Sequence, residues 1–80
     1  MTTRAVVVGA CGFLGFRLVA FLLKEGYEVV GLDIRGRPDW PEKARFVQGS
    51  VLSIEDLTES YREADVAFHL ATVSEILARG

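Results

Sequence analysis

The stretch Ala5-Val6-Val7-Val8-Gly9-Ala10-Cys11-Gly12-Phe13-Leu14-Gly15 decides the fold of this chain. Its continuous apolar run predicts a buried parallel strand, and a second apolar run over residues 18–23 predicts a helix. Between the two runs lie three glycines at intervals of three residues. Glycines so placed let the backbone turn tightly, approach a pyrophosphate closely and pack the helix against the strand. Because the first N–H groups of a helix attract anions, the stretch predicts a dinucleotide site.

Length, composition and charge argue against several other classes of protein. The 80 residues are 50% hydrophobic and 25% charged, which is typical of one small globular domain. A net charge of −2 and no basic stripe argue against nucleic acid as a partner. The apolar run over residues 18–23 is too short for a membrane span. The single cysteine, Cys11, allows no internal disulfide and fits a reducing compartment, so we expect a cytoplasmic protein.

Strand and helix signals alternate along the chain. Strands are predicted at residues 5–8, 27–32, 44–48 and 65–70, and a first helix at residues 13–25 that ends before Gly26. Ser53 is typical of an N-cap, and the second helix after it has one apolar face: Ile54, Leu57, Tyr61 and Ala64. Residues 34–43, with two prolines, predict a loop, and the last ten residues are compatible with the start of another helix.

This order of elements predicts an α/β fold. We expect a partial Rossmann-type parallel sheet of about four strands in the order 3-2-1-4, with helices on both faces and right-handed crossovers. The chain connection reverses between strands 1 and 4. Ligands of such sheets bind at the carboxyl ends of the strands near this switch point, so the glycine stretch lies where the fold class predicts a site.

An acidic residue at the end of the second strand supports the dinucleotide interpretation. Asp33 follows Gly15 by 18 residues, close to the spacing of about 20 for a carboxylate that binds ribose hydroxyls. A carboxylate there repels a 2′-phosphate, which favours NAD over NADP as the cofactor. Arg35 and Arg37 follow it, and either could meet a phosphate. The alternative interpretation of Asp33 is a solvated carboxylate at a strand end.

Four sequence blocks, taken together and in this order, resemble the extended short-chain dehydrogenases/reductases. They are Gly9-x-x-Gly12-Phe13-Leu14-Gly15, Asp33-Ile34, Phe46-Val47-Gln48-Gly49-Ser50-Val51 and Val66-Ala67-Phe68-His69-Leu70-Ala71. Within that superfamily the chain is most similar to the 3β-hydroxysteroid and sterol dehydrogenase branch. The sugar-nucleotide epimerases and dehydratases come next.

The resemblance implies which residues contact the cofactor. The glycine loop would lie under the pyrophosphate, with the adenosine ribose and the adenine beyond it and the end of the fourth strand along the cofactor. The implied positions are Gly9, Cys11, Gly12, Phe13, Leu14 and Gly15 in the loop, Asp33 and Ile34 at the ribose, Ser50 and Val51 at the adenine, and Leu70, Ala71 and Thr72 on the fourth strand. Ser50 stands where the family usually has an aspartate, and a hydroxyl is the weaker acceptor.

The catalytic pair of that superfamily is absent from the 80 residues. The pair is Tyr-x-x-x-Lys, but Tyr27 is followed four residues later by Gly31, and Tyr61 by Asp65. The resemblance therefore implies that residues 1–80 are the N-terminal half of an NAD(P)-binding domain, with the catalytic and substrate parts elsewhere. The expected parent is an oxidoreductase acting on a secondary alcohol or ketone. The alternatives are a nucleotide-sugar epimerase or dehydratase, and a dinucleotide-sensing protein without turnover.

Three further residues leave alternatives open. His69, inside an apolar strand, is either a packed, hydrogen-bonded histidine or a catalytic base. Cys11 either fills a variable loop position or is a reactive thiol near a helix N-terminus. Trp40, between two prolines, either covers the sheet or lies near the adenine.

The fourth strand also bears on the partners of the chain. In a four-stranded sheet of this order it is an open edge with apolar faces, and such an edge favours self-association. We therefore expect the 80-residue chain by itself to form a homodimer or larger aggregates.

Overall fold

In the computed structural model, which describes residues 2–50 and 52–70, four parallel strands alternate with two helices. The strands are β1 (Arg4–Val8), β2 (Glu28–Asp33), β3 (Arg45–Gln48) and β4 (Val66–His69), and the helices are α1 (Phe13–Lys24) and α2 (Ile54–Tyr61). The order across the sheet is β3-β2-β1-β4, with every pair parallel. The predicted fold class and strand order are confirmed, and the ends of the strands and of α1 differ from the prediction by about one residue. Val51, Ala71, Thr72 and the predicted helix start within 71–80 lie outside the described residues.

The core lies on both faces of β1, because a helix covers each face. Val7 packs with Val19 of α1 in one apolar cluster. Val6 and Val8 pack with Leu32 in a second cluster, which α2 covers. All of these side chains are fully buried. A strand buried on both faces has no polar alternation, which is why β1 reads as one continuous apolar run.

Local signals account for the ends of α1. The helix begins after Gly12, whose extended backbone makes it the N-cap, and Lys24 lies in its last turn, where a cation favours the dipole. Gly26 follows with a φ of 91°, which an L side chain rarely adopts. The buried face of α1 is formed by Gly15, Val19 and Leu22.

Helix α2 starts as predicted but ends earlier. The Oγ of Ser53 accepts a hydrogen bond of 3.1 Å from the N–H of Asp56, which confirms the N-cap. The prediction that Ala64 lies on the same helical face is wrong, because α2 ends at Tyr61 and Glu63 adopts a left-handed φ of 59°. Ala64 still packs on the α2-side cluster from the turn that follows the helix. The side chain of Ile54 is outside the described part of the chain.

Candidate dinucleotide-binding site

The turn from β1 into α1 is built on a backbone conformation that favours glycine. Gly9 has a φ of 87°. The N–H groups of Gly9 and Ala10 both donate to the carbonyl oxygen of Leu32, at 2.8 and 3.1 Å, which fastens the turn to β2. The N–H of Gly12 then donates to the carbonyl oxygen of Gly9 at 3.2 Å. The glycine loop is thus held tightly against the carboxyl ends of two strands.

The other two glycines of the motif have different physical reasons. A Cβ on Gly15 would clash with the backbone of Gly9, so the close approach of α1 to β1 requires glycine there. A Cβ on Gly12 would meet only ordinary contacts, 3.4 Å to the oxygen of Gly9 and 3.6 Å to Nη2 of Arg35. The fold therefore tolerates a small side chain at Gly12. What glycine supplies at this position is open space next to the helix N-terminus.

The N-terminus of α1 is available to an anion. No side chain caps it, and its first turn has no acidic residue. The first helical hydrogen bond runs from the N–H of Phe16 to the carbonyl oxygen of Gly12, at 2.9 Å. By helix geometry, the N–H groups of Phe13, Leu14 and Gly15 have no acceptor within the helix. The side chains of Phe13 and Leu14 are 73% and 65% exposed, so two large apolar groups flank this electropositive end.

Asp33 lies beside this loop and is not a solvated strand-end carboxylate. The residue is only 5% exposed. Its Oδ2 accepts a hydrogen bond of 2.8 Å from the N–H of Cys11. Its Oδ1 accepts from the N–H of Arg35 at 3.0 Å and from Nε of Arg35 at 3.3 Å. The carboxylate ties the glycine loop to the end of β2.

The thiol of Cys11 is protonated and engaged. Its Sγ donates to the carbonyl oxygen of Arg35 at 3.0 Å. Burial raises the pKa of Cys11, and the nearby carboxylate of Asp33 raises it further. A reactive cysteine needs a lowered pKa. The structure therefore favours the interpretation of Cys11 as a small residue that fills the loop.

Two guanidinium groups border the site on the side of the loop between β2 and β3. Nη2 of Arg35 lies close to Gly12, as the 3.6 Å to an added Cβ shows. Arg37 donates to both carboxylate oxygens of Asp39, at 2.8 and 2.9 Å, and from Nη1 to the carbonyl oxygen of Cys11 at 3.4 Å. Its hydrogen bond with Arg37 lowers the pKa of Asp39. The carboxylate of Asp39 and the guanidinium groups of Arg35 and Arg37 thus lie at the same end of the site.

The end of β3 lies next to the end of β2. The N–H of Gly49 donates to the carbonyl oxygen of Asp33 at 2.9 Å, and Nε2 of Gln48 donates to the carbonyl oxygen of Ile34 at 3.2 Å. Ser50 is 3% exposed. Its Oγ accepts from the N–H of Leu52 at 3.0 Å, so the hydroxyl stabilises the turn after β3.

Asp56 belongs to this region, although the sequence analysis did not single it out. Its Oδ2 accepts a hydrogen bond of 2.8 Å from the N–H of Ser50. A Cβ on Gly49 would clash with the side chain of Asp56. The glycine before Ser50 was the available signal, because it leaves room for a carboxylate reaching back from the first turn of α2.

The end of β4 lies next to the glycine loop. The N–H of Leu70 donates to the carbonyl oxygen of Val8 at 2.7 Å, which continues the pairing of β1 with β4 up to the glycine loop. Leu70 packs against the α1-side cluster. His69 points to the other face, where its imidazole is hydrogen-bonded to the hydroxyl of Tyr61. His69 is therefore a hydrogen-bonded histidine at a strand end.

Trp40 covers the sheet. Its Nε1 donates to the carbonyl oxygen of Ala44 at 2.8 Å, and its ring lies 4.9 Å from that of Phe46 on β3, measured between centroids. A Cβ on Gly31 would clash with the same ring. Trp40 thus packs over β2 and β3 on the α1 side, and the first of the two interpretations for this residue is correct.

Parallel strands in the order β3-β2-β1-β4, with a glycine-rich turn from the carboxyl end of β1 into α1, define the Rossmann-type class of α/β protein. Residues 5–79 match the NAD dependent epimerase/dehydratase family, and the chain belongs to that family, within the short-chain dehydrogenase/reductase superfamily. The resemblance seen in the sequence blocks is thereby confirmed.

Individual relatives span two kinds of enzyme. The bovine sterol-4-alpha-carboxylate 3-dehydrogenase (decarboxylating) is 39% identical over 69 residues, which are 86% of this chain and 19% of that protein. MoeE5 in complex with UDP-glucose and NAD is 33% identical, with a TM-score of 0.74, over 86% of this chain and 22% of that one. The UDP-glucose 4-epimerase of Thermotoga maritima is 27% identical, with a TM-score of 0.78, over 88% and 24%.

The match covers a small share of each relative. The chain spans 8% to 19% of the length of the first curated relatives that it matches. In residues 2–50 and 52–70, no cluster of three or more histidine, cysteine or acidic residues could hold a metal ion. Neither helix in this part of the chain is long and apolar enough to cross a membrane.

Proposed function

We propose that this chain is the NAD-binding part of a short-chain dehydrogenase-type oxidoreductase that acts on a secondary alcohol or ketone. The observation that supports this most directly is the uncapped N-terminus of α1 beside the buried carboxylate of Asp33. A pyrophosphate complements the first group and a ribose diol complements the second. Both groups lie at the carboxyl ends of parallel strands, which is where this class of sheet binds its ligands.

Each part of the site has a role toward the dinucleotide in this proposal. The N–H groups of Phe13 to Gly15 bind the pyrophosphate, and Gly12 leaves room for it. Asp33 accepts hydrogen bonds from the adenosine ribose hydroxyls. The exposed side chains of Phe13 and Leu14 shield the phosphates from water. Leu70 borders the nicotinamide end. When bound, the nicotinamide accepts or donates the hydride, and the residues described above hold it in place.

The charges around Asp33 bear on the choice between NAD and NADP. A 2′-phosphate would enter next to a buried carboxylate, which repels it, so we propose that NAD is the preferred cofactor. The cations of Arg35 and Arg37 reduce that repulsion, and Arg35 is itself paired with Asp33 at 3.3 Å. We expect NADP to bind more weakly and not to be excluded.

The rest of the proposal concerns the protein around this site. We propose that residues 1–80 are the N-terminal half of the cofactor domain and that the tyrosine–lysine pair lies in another part of the protein. The short shares of the relatives' lengths that the chain covers support this division. We also propose a cytoplasmic location, because Cys11, the one cysteine among these 80 residues, is a free thiol.

The second candidate function is that of a nucleotide-sugar epimerase or dehydratase. It is supported by the similarity to MoeE5 and to the Thermotoga maritima enzyme, both solved with UDP-glucose. A dinucleotide sensor without turnover is the third. Assays of the full-length protein with a sterol-type secondary alcohol and with UDP-glucose distinguish the three. Oxidation of the alcohol supports the first, conversion of the sugar nucleotide supports the second, and NAD binding without either reaction supports the third.

A substitution at Gly12 tests the proposed site. Because its added Cβ finds space in the fold, Gly12→Val should preserve folding while its side chain fills the pyrophosphate position. We expect the variant to lose measurable NAD binding in titration calorimetry, with an unchanged circular dichroism spectrum. Lys24→Val is the control, because Lys24 is exposed in the last turn of α1, at the opposite end of the helix from Gly12. Unchanged NAD affinity in a folded Gly12→Val variant would refute the proposed site.

A further inference from the structure

Arg37 connects the loop between β2 and β3 to the glycine loop. Its guanidinium carbon lies 3.6 Å from the ring centroid of Phe16, in the first turns of α1. Its Nη1 donates to the carbonyl oxygen of Cys11 at 3.4 Å, while Nε and Nη2 are held by the carboxylate of Asp39. The planar group is therefore fixed on three sides: by a ring, a carbonyl oxygen and a carboxylate.

The ring under Arg37 is the first of three aromatic rings in contact, each tilted against the next. Phe16 lies 6.0 Å from Trp40, and Trp40 lies 4.9 Å from Phe46 on the edge strand β3, all between centroids. Trp40 is fastened at the far end of the same loop by its hydrogen bond to Ala44. A row of side-chain contacts thus runs from the glycine loop to the sheet edge, through Arg37, Phe16, Trp40 and Phe46. These contacts hold the loop over residues 34–43 in place beside the site.

Cys11 connects the loop over residues 34–43 to the glycine loop. Its N–H donates to Asp33, its Sγ to the carbonyl oxygen of Arg35, and its own carbonyl oxygen accepts from Arg37. The next residue is Gly12, the N-cap of α1. The orientation of the peptide between Cys11 and Gly12 therefore depends on the hydrogen bond from Arg37. The direction of the N–H groups that follow depends in turn on that peptide.

We propose that Arg37 is a positioning residue for the adenosine diphosphate half of the dinucleotide. It acts through the carbonyl oxygen of Cys11 and the ring of Phe16, not by pairing with a phosphate. The inference rests on the proposed function of the site. It implies that the planar fork matters and that the positive charge alone does not, because a lysine can neither stack flat on Phe16 nor bind Asp39 with two parallel hydrogen bonds.

The test compares Arg37→Ala, Arg37→Lys and the control Arg62→Ala, each titrated with NAD, NADP and ADP. Arg62 is an exposed arginine paired with Glu59 on α2, away from the glycine loop. We expect both Arg37 variants to bind all three nucleotides about tenfold more weakly than the wild type does. The near-ultraviolet circular dichroism of Trp40 should change in the same variants, and thermal denaturation shows that they are folded. Arg62→Ala should bind as the wild type does.

Three outcomes would overturn the inference. One is wild-type affinity for ADP in Arg37→Ala. Another is wild-type affinity for all three nucleotides in Arg37→Lys, and the third is a loss of affinity confined to NADP. Either of these last two outcomes would show that Arg37 acts through its positive charge. If Arg37→Ala fails to fold, Phe16→Leu takes its place, since it removes the ring beneath the guanidinium and should weaken ADP binding similarly. A wild-type protein that binds none of the three nucleotides would refute the proposed function itself, which separates the two failures.

Discussion

At the scale of single residues, Asp33 has two roles that its position in the sequence does not separate. It is a buried acceptor for the N–H groups of Cys11 and Arg35, and in our proposal it is also the acceptor for ribose hydroxyls. The N–H groups of Cys11 and Arg35 and the Nε of Arg35 occupy three of the carboxylate's roughly four lone-pair directions, so one direction is left for a ribose hydroxyl. Its removal should therefore affect both the fold and the ligand.

We expect Asp33→Ala to weaken NAD binding by about 1–3 kcal/mol, the scale of hydrogen bonds to a charged group. It should weaken NADP binding less or even strengthen it, because repulsion of the 2′-phosphate is lost. The melting temperature of the variant should also fall, since the buried N–H of Cys11 and the partly buried N–H of Arg35 lose their acceptor. Asp33→Asn is the matched variant: it keeps one acceptor oxygen and should retain more stability. Calorimetric titrations with both cofactors test this, and an unchanged NAD/NADP preference would remove the main support for NAD.

At the scale of elements, the start of α2 is stabilised from two directions. Ser53 caps the helix through the N–H of Asp56, and the carboxylate of Asp56 reaches back to the N–H of Ser50. The glycine at position 49 makes the second contact possible. Through this pair of hydrogen bonds, the helix fixes the turn after β3, which the family resemblance assigns to the adenine.

Asp56→Ala should lower the free energy of unfolding by about 1–3 kcal/mol, because it leaves the N–H of Ser50 without its charged acceptor. Glu55→Ala is the control: this neighbouring acid in the same first turn is exposed, and its loss should cost only the dipole interaction, about 0.3–1 kcal/mol. Urea denaturation of both variants measures the difference. Equal losses would mean that the carboxylate of Asp56 acts through the helix dipole alone.

At the scale of the whole molecule, the sheet is well covered at its centre and poorly covered at its edges. β1 is buried on both faces, whereas β3 and β4, the outer strands in the described residues, are only partly buried. Val66 on β4 is 37% exposed. An open strand edge with apolar side chains is a template for pairing with another chain.

We therefore expect the polypeptide of residues 1–80, expressed by itself, to self-associate at micromolar concentrations. Sedimentation velocity tests this directly. Val66→Lys should reduce the association, because a charge on an edge strand opposes pairing with a second copy. A monodisperse monomer with a sharp cooperative thermal transition would contradict the prediction.

The sequence by itself determined the fold class and the strand order. Residues 5–15 combine a run that is apolar without alternation with glycines at fixed spacing, and these are local signals of a buried strand, a tight turn and a helix start. The tertiary structure decided the state of individual side chains. The burial of Asp33, the raised pKa of Cys11 and the hydrogen bond from Arg37 to the Cys11 carbonyl all depend on groups far apart in the chain. Such contacts arise only when β2 and its following loop fold back onto the glycine loop, and no local pattern encodes them.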